Sequence, residues 1–165
     1  MGGMIARQFA LNYPHLTHGV VLVATTAKFN ENPAIREFSE QVMQLTDPVP
    51  YDFAQPFQAG TCNKPVDKAY LGLMVRESLK VPAFTWKSIL KHLLEADFTP
   101  ELDRLNLPAL IIGGDADGFF GPAEQQLLHK AIPQSGLIMY QGNGHALHWE
   151  DPARFADDLV NFFSR

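Results

Sequence analysis

Residues 19–27 read GVVLVATTA, an unbroken apolar and β-branched run. Such a run has no wet face to alternate with a dry one, so it predicts a strand covered on both sides, as in a parallel sheet. Strand character returns in PALIIGG (108–114) and GLIMYQG (136–142). Helical spacing brackets these runs. Over 3–13, Met4, Ile5, Phe9 and Leu11 fall near one another with Ala6 and Ala10 between them, and the Tyr13-Pro14 pair ends the pattern. A second helix is expected over 123–131. A closing one, ADDLVNFF, is expected to lay Phe155, Leu159, Phe162 and Phe163 on the sheet, with Asp151 as its side-chain cap and Pro152 in its first turn. Strands alternating with helices imply a parallel sheet with right-handed crossovers.

Between 28 and 107 the texture changes. Pro33 opens a helical AIREFSEQVMQLT, and DPVPYDFAQPF, with three prolines, is expected to be an irregular, aromatic-rich link. Helices are expected over 64–79 and 82–97, the latter carrying Phe84, Ile89, Leu90, Leu93 and Leu94. The chain therefore divides into a sheet core, residues 1–27 and 108–165, and a helical insertion, residues 28–107.

With 165 residues, 46% hydrophobic and 19% charged, the chain has the composition of one globular domain. A net charge of −5 with scattered lysines and arginines argues against a nucleic-acid partner. The single cysteine, Cys62, rules out an intrachain disulfide and fits a reducing compartment; in GTCNKP it reads as a partly buried thiol. No run approaches the roughly 18 apolar residues of a membrane span, and the first residues lack a signal-peptide layout. A soluble, cytoplasmic protein without a membrane partner is expected.

Two unusual loops, DADGFFGP and GNGHALHWE, follow strand ends, where parallel sheets gather their chemistry. A carboxylate past one strand and an imidazole past the next share one rim, the arrangement an acid–base relay needs. Asp115 and Asp117 compete for the acid. Asp117 lies farther out along the turn, whereas Asp115, beside the strand end, suits the turn's own backbone. His145 follows Gly142 and Gly144, which allow a close approach. His148 either caps the closing helix or lines the site. His15, His18, His92 and His129 receive no role. His145, His148 and Glu150 follow no common metal-ligand spacing, so neither a metal nor an organic cofactor is expected.

The segments MGGMIARQFALNYPHLTHGVVLVATTA, LPALIIGGDADGFFGP and GNGHALHWEDPARFADDLVNFF resemble, in order, the successive motifs of the α/β-hydrolase superfamily. The resemblance implies that MGG completes a nucleophile elbow, Gly-x-Ser-x-Gly, with serine directly before the residue matching Met1. Gly2 then matches the motif's last glycine, where a small residue lets helix and strand approach. Asp117 matches the acid and His145 the base. Met1 supplies an oxyanion-hole donor through its backbone nitrogen, which at a chain start is an ammonium. Residues 28–107 match the cap. The implied fold is the C-terminal part of an α/β-hydrolase parallel sheet flanked by helices, with the earlier strands and the nucleophile absent and the chain inactive alone. The implied reaction is cleavage of a carboxylic ester, lactone or related acyl bond in a small-molecule substrate. An aspartate nucleophile, as in epoxide and haloalkane hydrolases, would be followed by Trp-Gly rather than Met-Gly. The rival class is a non-catalytic binding protein on the same scaffold. Phe53, Phe57, Phe84, Trp86 and His148 are the expected pocket residues, and an exposed edge at 19–27 is expected to favour self-association.

Overall fold

The computed structural model describes residues 1–164. Helix α1 (Gly2–Asn12) leads into strand β1 (Val20–Val23), and four helices follow: α2 (Pro33–Met43), α3 (Tyr51–Gly60), α4 (Lys68–Leu79) and α5 (Ala83–Glu95). Strand β2 (Ala109–Gly114), α6 (Pro122–Ala131), β3 (Ser135–Tyr140), a single turn α7 (Leu147–Glu150) and α8 (Pro152–Phe163) complete it. Among the described residues the sheet has the order β1-β2-β3, all parallel, with Val20 beside Ala109 and Ala109 beside Ser135.

Every residue of β2 is buried, as expected of an apolar strand flanked on both edges and both faces. On one face Val20, Leu22, Ala109 and Ile111 pack with Ala10 of α1, Leu128 of α6 and Ile132 just after it. On the other, Leu110 and Ile112 meet Tyr140, Leu147, Phe155 and Phe162. A third apolar cluster, centred on Phe29, Ile35, Val42 and Leu90, fills the space among the helices of residues 28–107 and reaches Phe120 at the sheet rim. That helical segment leaves and rejoins the core at one neck. Lys28 and Asp97 form an antiparallel bridge, Phe98 donates its amide to the Ala27 carbonyl at 3.0 Å, and the Lys28 and Asp97 side chains pair at 3.2 Å.

Several local expectations need correction. DPVPYDFAQPF is not an irregular link, because α3 runs through it. Pro48 and Pro50 lie ahead of the helix, and Pro56, though inside it, sits on the exposed face, where water can take the carbonyl of Asp52 that loses its partner. The helix expected from 64 starts at Lys68, where the Asp67 side chain caps the Tyr70 amide at 2.8 Å. On α1 the buried face is Met4, Arg7 and Ala10, whereas Ile5 and Phe9 are exposed. Arg7 is covered by the Phe98 ring, 4.3 Å from its guanidinium carbon, and burial pulls its pKa down to about 10 against the opposing charge of Glu101. Gly2 has open space around it; the tight approach belongs to Gly3, where an added Cβ would lie 2.8 Å from Thr25. Asp151 occupies the cap position of α8 without a side-chain cap bond, and Phe163 is exposed rather than laid on the sheet.

Candidate active site

The loops after β2 and β3 are held together independently of Asp117 and His145. The Ala116 amide donates to the Asn143 carbonyl at 3.0 Å, and the Asp115 carboxylate accepts the Gly142 amide at 2.6 Å. Gly142 takes φ +67°, a conformation that side chains disfavour. A Cβ at Gly114 would stand 2.2 Å from the Asn143 carbonyl oxygen, so the two loops cross at a distance only glycine permits.

This crossing sets Asp117 against His145. The Nδ1–H of His145 donates to Oδ2 of Asp117 at 2.9 Å, and the Asp117 side chain is wholly buried. Its other oxygen accepts the amides of Phe119 (2.8 Å) and Phe120 (3.1 Å), so the carboxylate cannot swing away from the imidazole. Asp115 is exposed and serves the turn. With Nδ1 engaged, Nε2 is the nitrogen left with a lone pair for proton transfer. The rings of Phe119 and Phe120 flank the imidazole at 5.8 Å each.

His145 opens on a cavity of about 330 Å³ between the sheet rim and the helical segment. Met1, Phe57 and Trp86 line it, as do Phe29, Phe38, Phe119 and Phe120, which sequence reasoning did not single out. The signal for the last two was the Phe-Phe pair directly after the DADG turn. Phe53 stands behind the wall, its ring 5.4 Å from Trp86, and lines a neighbouring groove. Phe84 is 76% exposed and His148 packs between Trp149 and Phe155; neither lines the cavity. Burial, and then the charge of His145, push the His148 pKa down.

The cavity is lined by one hydroxyl, that of Thr61, and it donates to the Gln58 carbonyl at 2.7 Å. Trp86 Nε1 is buried and has no acceptor among the described residues. Among the described residues no carboxylate or ammonium side chain lines the cavity. Among the described residues there is also no cluster of three or more potential metal ligands, and no helix is long and apolar enough to cross a membrane.

Comparison with known proteins gives a consistent picture. Residues 1–152 match the Hydrolase_4 family, described as serine aminopeptidase, S33. The chain is 28% identical over 175 residues to the polyketide synthase ThaQ of Burkholderia thailandensis, covering 98% of the chain and 8% of that protein. It is 27% identical over 170 residues to a pimeloyl-[acyl-carrier protein] methyl ester esterase of Yersinia enterocolitica, covering 98% and 66%. An esterase structure from Exiguobacterium antarcticum superposes with a TM-score of 0.86 at 17% identity, covering 99% of the chain and 63% of that structure. The chain thus spans less than two thirds of the length of each of these relatives.

Proposed function

The chain belongs to the Hydrolase_4 family, within the α/β-hydrolases, and from that premise we propose that it carries the acid and the base of an ester hydrolase. Asp117 fixes the tautomer of His145 and stabilises the imidazolium, and Nε2 takes a proton from the attacking alcohol and returns it to the leaving group. The nucleophile is the serine that the family pattern sets directly before the position of Met1. Residues 28–107 act as the cap, and the wall of Phe57, Trp86 and Phe119 receives the substrate.

The observation that carries this reading is the 2.9 Å contact between a wholly buried carboxylate and an imidazole at the mouth of an apolar cavity. The lining also bears on substrate. An aminopeptidase must seat an ammonium group, which calls for a carboxylate in the pocket, and none lines this one. A neutral acyl ester or lactone fits better. The cavity holds about 330 Å³, at the small end of ligand pockets, behind an almost wholly apolar lining. A short or medium acyl chain is therefore preferred.

The test compares p-nitrophenyl butyrate and palmitate as substrates for the chain alone and for the chain extended by the residues encoded before Met1. The extended protein is expected to cleave butyrate in preference to palmitate, and Asp117→Asn to lower kcat by roughly 10³–10⁴-fold. The chain alone is expected to show no turnover. Turnover by the chain alone that is lost in His145→Ala overturns the placement of the nucleophile before Met1, and full activity of extended Asp117→Asn or His145→Ala overturns the acid–base assignment.

A further inference from the structure

Glu150, the last residue of α7, reaches back over the loop that carries His145. One carboxylate oxygen accepts the amides of Asn63 and of Lys64, the latter at 2.9 Å; the other accepts the amide of Gly144 at 2.8 Å. Asn63 and Lys64 belong to the link between α3 and α4, next to the cavity residue Thr61, and Gly144 directly precedes His145. A single carboxylate thus joins the cavity wall to the base. The link and the loop run side by side for several residues. Ala146 donates its amide to the Thr61 carbonyl (2.9 Å), the Asn63 side-chain amide donates to the Gly142 carbonyl (2.9 Å), and Lys64 Nζ donates to Asn143 Oδ1 (2.5 Å). A Cβ at Gly144 would lie 2.7 Å from the Thr61 oxygen, so the two strands of backbone touch.

We propose that Glu150 is a positioning residue for His145, holding the loop 142–146 in register with the α3–α4 link so that the imidazole meets Asp117 and the cavity together. The inference rests on the acid–base reading of His145 given above. The chemistry requires a carboxylate: both oxygens face N–H groups, and only an ionised acid accepts on both sides. An amide of the same shape must turn its NH₂ toward either Gly144 or the Asn63–Lys64 pair, leaving that side without an acceptor.

The experiment is NMR on the purified full chain, comparing the parent with Glu150→Gln and Asp117→Asn. Two quantities are read: amide hydrogen exchange at Asn63, Lys64 and Gly144, and the pH titration of the His145 ring nitrogens. In Glu150→Gln, exchange is expected to quicken roughly tenfold or more on at least one side of the clamp, and the His145 titration to move toward that of Asp117→Asn. Quickened exchange with an unmoved His145 titration would reduce Glu150 to a fold clamp and overturn the proposal. Unchanged exchange at all three amides would also overturn it. An Asp117→Asn titration equal to the parent's would instead sink the acid–base reading itself. Should Glu150→Gln lose its native far-UV spectrum, Glu150→Asp, which keeps the charge and shortens the reach, takes the same two readouts with the same expectations.

Discussion

Asp117 and His145 differ from the other acids and histidines of the chain in what their neighbours allow them to do. Asp117 accepts three hydrogen bonds with no solvent on its side chain, while Asp115, two residues earlier, spends one oxygen on a turn amide in the open. His148 shows the opposite use of a buried ring. Its Nδ1 is buried without a partner among the described residues, and burial lowers its pKa in the folded state below the ordinary 6.5. The unfolded chain therefore takes up a proton first on acidification. The stability that depends on a neutral His148 is whole above about pH 6.5 and declines as pH falls toward the folded-state value. Replacing His148 by Gln is expected to flatten the stability profile between pH 7 and 5 in urea titrations; an equally steep profile in the variant would refute this. The meeting of Asp117 and His145 was legible in the sequence because parallel topology sends successive strand-end loops to one rim. Glu150 was not, since its partners are backbone amides, two of them more than 80 residues away and invisible to any pattern of side chains.

Helix α3 shows tertiary packing overruling a local signal. Three prolines within eleven residues read as a broken link, yet Phe53 and Phe57, one turn apart, stack with Phe38 and meet Trp86 edge-on at 5.4 and 5.3 Å. Contacts of this kind are worth about 0.5–1.5 kcal/mol each beyond burial, and together they offset the bond that Pro56 removes. An interior proline costs about 3 kcal/mol, less up to about 1 kcal/mol recovered from the stiffer unfolded chain. Pro56→Ala is accordingly expected to stabilise the protein by roughly 1–2 kcal/mol in urea unfolding. A loss of stability would mean that the proline ring packs better than its exposure suggests. Strand β2, read over 108–114, was placed to within a residue, and β3, read over 136–142, ends two residues earlier at Tyr140, whereas the apolar run 19–27 forms strand only over Val20–Val23. The inward face of α1 was misjudged because periodicity counts apolar residues, and one buried position here is an arginine whose guanidinium lies against an aromatic ring.

At the scale of the molecule, β1 and β3 are the edges of the described sheet, and Ile5 and Phe9 on the outer face of α1, with Tyr13 and Leu16 just after it, are exposed to solvent. Unpaired strand groups beside exposed apolar side chains favour association between copies. Sedimentation of the chain is expected to show a weight-average mass that rises with concentration, and substituting Ile5 and Phe9 by Lys is expected to suppress that rise. A single monomeric species at every concentration would contradict it. The helical segment leaves and returns between Lys28 and Asp97, within one bridge, and is moored a second time through Asn63 and Lys64. A segment with both ends at one doorway can be exchanged between relatives as a cassette without shifting a strand, provided that the donor brings amides to the tether. Lineages can thus diverge in what they accept while the machinery beneath stays put.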